Sequence, residues 1–223
     1  MFIYETHLHT SPVSRCARAD VRETVEFYKR EGYEGIFITN HFVEPDGGVS
    51  HSYRTCIQFL FSDYEEALKI GKERGLSVFF GTEITYHGTD FLIYGLDKEW
   101  WLSHAEIARL DIHERLELMA KSGALIIQAH PFREAMYIDC IRLFPRHVHG
   151  VEVFNGCRTN LENDMAALYA EKYFLLPFAG SDNHRAGKQT RFGGMQSETP
   201  LIDEKDFVAR VKNGEMTLYV KEK

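Results

Sequence analysis

A chain of 223 residues with 44% hydrophobic and 26% charged content is long enough to bury a sizeable core without covalent staples. Its 26 basic side chains against 33 acidic ones give a net charge of −7, which excludes an extended nucleic-acid-binding surface. Cys16, Cys56, Cys140 and Cys157 form no C-x-x-C pair, so neither a disulfide framework nor a zinc ribbon is indicated, and no apolar run approaches the ~20 residues of a membrane span. The expected setting is cytoplasmic, with no membrane partner.

The first predicted strand is Phe2-Ile3-Tyr4-Glu5-Thr6, which runs into His7-Leu8-His9-Thr10. Residues two apart on a strand face the same side, so both imidazoles can reach one cation. After a loop over residues 11–19, Asp20 with Glu23 makes a capping box, and Val21, Val25 and Tyr28 form a helical stripe that stops at Gly32. Residues 35–39 form a second strand ending at Asn40-His41. The loop from Phe42 to about Thr55 contains the turn signal Pro45-Asp46-Gly47-Gly48 and is placed to act as an active-site flap. Ser62 with Glu65 opens a second helix, which ends at Gly75.

Residues 76–80 end at Gly81-Thr82-Glu83, and residues 91–94 end at Gly95-Leu96-Asp97. The stretch Tyr86-His87-Gly88-Thr89-Asp90 is too short for a crossover helix, so these strands read as a hairpin. Ser103 with Glu106 and Asp111 with Glu114 predict a short helix and then a longer one, to Lys121. Residues 124–128 end at Ala129-His130-Pro131, and a helical turn is expected around Tyr137 to Leu143. Residues 150–154 lead to Asn155 and then a helix from about Asn160 to Lys172. Residues 175–179 end at Gly180-Ser181-Asp182-Asn183-His184. Gly193-Gly194 is expected in a loop, Asp203 starts a last helix that Gly214 ends, and residues 217–220 form an edge strand.

Near-continuous apolar runs are the mark of strands covered on both faces, and in parallel α/β architectures sites gather at the carboxyl ends of such strands. Here His, Glu, Asp or Asn stands at those ends. Imidazole and carboxylate together suit Zn²⁺, Mn²⁺ or Fe²⁺.

Taken in order, His7-Leu8-His9-Thr10, Thr39-Asn40-His41, Gly81-Thr82-Glu83, Ala129-His130-Pro131, Gly150-Val151-Glu152-Val153 and Gly180-Ser181-Asp182-Asn183-His184 resemble the polymerase and histidinol phosphatase (PHP) superfamily of metal-dependent phosphoesterases, from Phe2 to about residue 190. The resemblance implies an α/β fold, a distorted (β/α)7 barrel in a single domain. Two or three divalent metal ions would sit at the carboxyl face of its strands. Residues 195–223 would form a helix–strand extension packed on the barrel. It further implies His7, His9, Glu83 and Asp182 as ligands of a first metal, with Glu83 bridging to a second also held by His130. Where some members carry a histidine after the fourth strand, this chain has Asp97, with Asp90 as a nearby substitute. A third metal would use His41, His184 and an acidic or histidine residue of the first loop, but that loop here reads Ser14-Arg15-Cys16. Either Cys16 ligates as a thiolate, or the third site is weaker or empty.

The reaction so implied is hydrolysis of a small phosphate ester (a phosphomonoester, nucleotide or sugar phosphate) by hydroxide generated on a cation. Arg133, Arg158 and Arg15 are the candidates for gripping phosphate. Glu152 and Asn155 are expected behind the ligands, where Glu152 could orient a histidine. Two other readings stand beside this one: an amidohydrolase-like hydrolase of C–N or ester bonds, whose barrels also begin with His-x-His, and a non-catalytic metal- or nucleotide-binding module. The remaining histidines, His51, His87, His104, His113, His147 and His149, have no supporting spacing and are expected to be structural or exposed.

Overall fold

The computed structural model describes residues 1–42, 44 and 52–222. The N-terminal strand β1 (Phe2–Glu5) is followed by helix α1 (Val21–Arg30), which opens where the Asp20 carboxylate accepts from Glu23 N at 2.8 Å. Strand β2 (Gly35–Ile38) pairs in parallel with β1, and the long helix α2 (Tyr53–Arg74) returns to strand β3 (Ser77–Tyr86) beside β2. The α2 helix starts well before the Ser62–Glu65 signal. Ser52 caps it by accepting from Thr55 N, while the Ser62 hydroxyl donates back to Phe59 O within the helix. Serine in mid-helix can satisfy itself this way, so the Ser-x-x-Glu pattern at residue 62 is not a cap. The Pro45-Asp46-Gly47-Gly48 turn lies outside the described residues, as does most of the expected flap, whose last residues, 53–55, belong to α2.

Strand β3 runs ten residues, well past the expected end at Phe80, so Glu83 sits within it. The hairpin to β4 (Thr89–Tyr94) forms as expected, turning on His87 and Gly88 with φ of 47° and 79°. Helix α3 (Lys98–Ser103) is capped by Asp97, so Ser103 closes a helix instead of opening one, and a 3-10 turn covers Glu106. Helix α4 (Ile112–Lys121) has the Asp111–Glu114 capping box. Strand β5 (Leu125–Ala129) pairs antiparallel with β4. Residues 131–149 then form turns, with no helix around Tyr137 to Leu143, before β6 (Gly150–Asn155) resumes the parallel order. Helix α5 (Asn160–Tyr173), capped by Thr159, leads to β7 (Leu176–Gly180).

The chain ends in β8 (Arg191–Ser197), α6 (Glu204–Lys212) and β9 (Thr217–Glu222). Gly193 and Gly194 are inside β8, not in a loop. A Cβ on Gly193 would come within 2.4 Å of Gly180 O, and one on Gly194 within 2.3 Å of Tyr4 O, so only glycine lets β8 lie this close to both β7 and β1. The sheet order is β7-β6-β5-β4-β3-β2-β1-β8-β9: the seven strands expected for the barrel, the expected edge strand as β9, and between it and β1 the unexpected β8. Leu8 bridges Asn183 in parallel, and His9 N donates to Asn183 O at 2.9 Å, which nearly closes the sheet into a barrel. The result is a single α/β domain built on a distorted barrel.

The floor of the barrel is aromatic. Phe207 of α6 is fully buried, with ring centroids 4.3 Å from Phe37, 5.3 Å from Tyr94 and 6.2 Å from Phe178. The expected C-terminal helix thus fills the barrel's bottom opening, and the opposite mouth is left for polar side chains. No described helix is long and apolar enough to cross a membrane.

Candidate metal centre

At the carboxyl mouth the ends of β1, β2, β5 and β7 and the middle of β3 converge. Glu83 is the hub. Its Oε1 lies 3.5 Å from His7 Nε2 and 3.3 Å from His130 Nε2, and its Oε2 lies 3.2 Å from both His9 Nε2 and His41 Nδ1. Asp182 Oδ1 lies 3.5 Å from His7 Nε2, 3.4 Å from His9 Nε2 and 3.5 Å from His184 Nδ1. His7 Nε2 and His9 Nε2 are 3.2 Å apart, and the His9 ring stacks between those of His41 and His184. Ligand atoms about 2.0–2.1 Å from a tetrahedral Zn²⁺ stand roughly 3.3 Å apart, so these spacings match the edges of such a cage. Among the described residues, three sets of potential ligand atoms lie within 4.8 Å of one another: His7, Glu83 and His130; His7, His9 and Asp182; and His9, Cys16 and His41.

Two atoms of the cluster carry the mark of a cation site. Glu83 Oε1 and His41 Nδ1 are buried with no hydrogen-bond partner, a costly state for a polar atom unless something binds there. The backbone is bent to present ligands as well: His130 and Asp182 have φ of 26° and 54°, in the left-handed region that non-glycine residues seldom occupy. The residues present therefore fit a divalent metal centre.

Behind the ligands is a buried polar layer. Glu152, inside the apolar run of β6, accepts from His7 Nδ1 at 2.8 Å through Oε1. Its Oε2 accepts from His130 N at 3.0 Å and from Asn155 Nδ2 at 2.8 Å. Because a carboxylate only accepts, His7 donates through Nδ1, which leaves the Nε2 lone pair aimed into the cluster. Asn155 also donates to Asp182 Oδ2 at 3.3 Å. Ser14 spends its proton on Asn40 Oδ1 and so accepts from His9 Nδ1 at 3.2 Å, fixing the second imidazole in the same way. His184 Nδ1 donates to Asp182 O at 2.7 Å.

The charges interlock. Burial opposes a proton on His7, but the carboxylates of Glu152, Asp182 and Glu83 outweigh it and hold the imidazole well above its ordinary value. His9 and His130 are raised in the same sense, against burial, by their carboxylate neighbours. Burial likewise opposes ionisation of Glu83 and Asp182, yet the surrounding imidazoles hold both well below the usual carboxylate range. His41 is lowered by burial, and His184 is lowered to about 4 by burial and the proximity of His9. Without a cation, the cluster holds its carboxylates together with protons.

A cavity of about 540 Å³ opens over the cluster, with Arg133, Tyr137 and Arg158 on its wall and the Gly88 hairpin at its rim. Arg133 is fixed by Asp90 Oδ2 at 2.9 Å and by Gly88 O at 3.2 Å. The Nε atoms of both Arg133 and Arg158 are buried without a partner. Arg15 is exposed and does not line this cavity. Asp97 is not at the mouth either. Because β4 runs antiparallel, its carboxyl end points to the floor, where Asp97 caps α3. The amino end of β4 faces the mouth and places Asp90 Oδ2 3.8 Å from His130 Nε2.

Two buried acids escape a reading of the sequence. Glu5 shares the strand face of His7 and His9, and its Oε1 gathers the N–H groups of Thr6, His7 and Ser181 across the seam between β1 and β7. Burial pushes it up to about 7. Asp63 accepts from Thr10 Oγ1, Val13 N and Asn40 Nδ2, anchoring the first loop. The available signal is an acid within the buried stripe of α2 that includes Leu60, Ala67 and Ile70. Of the other histidines, His104 stacks on Trp100, His113 pairs with His147, and His149 accepts from Ile126 N; His51 lies outside the described residues.

No family model matches the chain. It is similar in structure to a two-domain protein of Bacteroides vulgatus described as containing a predicted PHP-like metal-dependent phosphoesterase, at TM-score 0.70 and 17% identity, over 98% of this chain and 64% of that one. The fold is PHP-like. An amidohydrolase from Chromobacterium violaceum superposes at TM-score 0.55 and 12% identity, over 96% of this chain and 97% of its own. In sequence, the chain is 37% identical over 112 residues to the uncharacterized protein MJ0417 of Methanocaldococcus jannaschii, a match covering 47% of this chain and 45% of that protein. The chain thus spans less than two thirds of the relative it matches in sequence and of the Bacteroides vulgatus chain.

Proposed function

We propose that this PHP-like domain is a metal-dependent hydrolase of small phosphate esters. The observation that carries the reading is Glu83, a buried carboxylate whose two oxygens face two separate pairs of imidazoles, with Oε1 left unbonded. A carboxylate so placed would serve a pair of divalent cations, the kind of centre that supports in-line displacement at phosphorus. His7, His9, Glu83 and Asp182 would hold one. His130, Glu83 and Asp90 would hold a second, and His41 and His184 flank a third position. Bound there, divalent cations would supply hydroxide near neutral pH and offset the charge of an incoming phosphate.

The remaining steps belong to the chain's own side chains. Arg133 and Arg158, with unpaired Nε groups on the cavity wall, favour an anionic substrate over a neutral amide, and Asp90 holds the Arg133 fork in place. Glu152 keeps His7 in the tautomer that leaves Nε2 bare. A cavity of about 540 Å³ suits a monoester of nucleotide or sugar-phosphate size.

The test is activity of chelator-stripped protein reconstituted with Zn²⁺, Mn²⁺ or Fe²⁺ against a phosphomonoester panel, with His9→Ala as control. Metal-dependent turnover lost in His9→Ala is expected. Stoichiometric metal with no turnover of any phosphoester would reject the reading, and turnover of amides or lactones alone would replace it with the amidohydrolase one.

A further inference from the structure

We propose that Cys16 supplies a thiolate to the outermost cation of this cluster, so that one position of an imidazole–carboxylate centre is selected by sulfur. The inference rests on the metal-centre reading above and concerns which ion its solvent-facing side holds.

Cys16 Sγ, a ring nitrogen of His9 and a ring nitrogen of His41 lie within 4.8 Å of one another. The cysteine is exposed as a residue, yet its sulfur joins two imidazoles at the edge of the cavity. His41 Nδ1 is buried and has no hydrogen-bond partner. Glu83, only 1% exposed, sets Oε2 3.2 Å from both His41 Nδ1 and His9 Nε2. Sulfur and imidazole thus stand together at the edge of the cavity, with the Glu83 carboxylate against the two imidazoles from the inner side. The first loop is tied to this place by Ser14, whose hydroxyl accepts from both His41 N and His9 Nδ1, and by Asp63, which accepts from Val13 N and Thr10 Oγ1. The loop that carries Cys16 is therefore braced against His41, the imidazole it would serve with, and against His9, whose Nδ1 donates to Ser14 while its Nε2 faces the inner ligands.

The sulfur changes which ion is preferred. A thiolate is a good ligand for Zn²⁺ and Co²⁺ and a poor one for Mn²⁺ and Mg²⁺, which favour oxygen. Binding replaces the S–H bond with an S–metal bond and passes the proton to solvent, so no oxidant or reductant is needed. The inner positions, lined only by imidazole and carboxylate, discriminate less sharply among Mn²⁺, Fe²⁺ and Zn²⁺ than a site with sulfur does. The outer one would discriminate more sharply, in favour of Zn²⁺ or Co²⁺.

Cobalt(II) reads this directly, because sulfur ligation gives a thiolate-to-cobalt charge-transfer absorption in the near ultraviolet that nitrogen and oxygen ligands do not. Full-length protein loaded with Co²⁺ is expected to show the band. Cys16→Ser is expected to lose it together with one equivalent of cobalt. Cys157→Ser is the control, since that sulfur donates to Asp182 O at 3.1 Å and is the other thiol beside the cluster; it should leave band and stoichiometry intact. A second measurement needs no substitution: iodoacetamide labelling with peptide mapping should modify Cys16 in metal-free protein and with Mn²⁺, and be blocked by Zn²⁺. Cobalt bound without the band, a band that survives Cys16→Ser, or equal labelling of Cys16 with and without Zn²⁺ would overturn the assignment while leaving the inner centre standing. Failure of wild-type protein to bind cobalt at all would overturn the metal-centre reading itself.

Discussion

Replacing Glu152 with glutamine removes a charge without changing shape, and the hydrogen bonds around it set the cost. Both carboxylate oxygens are used as acceptors: Oε1 by His7 Nδ1 at 2.8 Å, and Oε2 by His130 N at 3.0 Å and Asn155 Nδ2 at 2.8 Å. Glutamine keeps one acceptor and turns the other into a donor. If the amide nitrogen faces His7, the imidazole must move its proton to Nε2, where a cation would bind. If it faces the other way, it meets two N–H donors. In either orientation a charge-assisted hydrogen bond worth roughly 1.5–3 kcal/mol is lost. At about 1.4 kcal/mol per decade, metal affinity should fall roughly 10- to 100-fold, the range seen for partners of ligand histidines. Competition of Glu152→Gln and wild-type protein with a chromophoric chelator for Zn²⁺ measures this, with circular dichroism confirming that the fold is kept. Equal affinities in two folded proteins would refute the orienting role of Glu152.

Other expectations rest on the same geometry. Phe207→Ala empties the barrel floor of a fully buried ring and should cost about 3–5 kcal/mol in urea unfolding; a loss below about 1 kcal/mol would show that α6 does not plug the barrel. Asp90→Asn should weaken metal binding and release Arg133. Asp97→Ala should cost only about 1 kcal/mol of α3 capping and leave metal content unchanged, and metal analysis of the pair would expose a reversed assignment. In chelator, the melting temperature should fall as pH rises above 6.5. His7, His9 and His130 have folded values above the ordinary 6.5, so their contribution is complete below that pH and lost as pH climbs through the folded values. His41 and His184 are lowered and already neutral there, so they act only on the acid side, where His184 loses its contribution between 6.5 and about 4. Saturating Zn²⁺ should abolish the alkaline fall; a flat profile without metal would contradict the proton-held cluster.

Much of the mouth is legible in the sequence because strands put chemistry at fixed places. His7 and His9 share a face by the two-residue period, and His41, His130, Asp182 and His184 come directly after apolar runs that a parallel sheet must bury. Asp97 misleads because its strand is reversed. The short Tyr86–Asp90 connection reveals the hairpin, but choosing Asp90 over Asp97 also requires knowing that the amino end of β4 faces the site. Glu83 reads as the end of a short strand although β3 continues past it, since Thr82 and Thr85 are strand residues as much as turn residues. Gly193-Gly194 reads as a loop because glycine signals flexibility in sequence, whereas here it permits three backbones to meet. Asp63 and Glu5 stay hidden because a buried acid in an apolar stripe is recognisable only once its partners, distant in the chain, are known.

The reversed strand also decides where this barrel can change. Its turn at His87 and Gly88 overhangs the cavity, and Arg133 and Arg142 hold it by its carbonyl oxygens, while none of the candidate ligands lies within it. Residues added at that tip would extend over the opening without displacing a candidate ligand, and each doubling of a loop's length costs only about 0.6 kcal/mol in closure entropy. Diversification of what the cavity admits can therefore proceed through one short hairpin while the cluster beneath stays as it is.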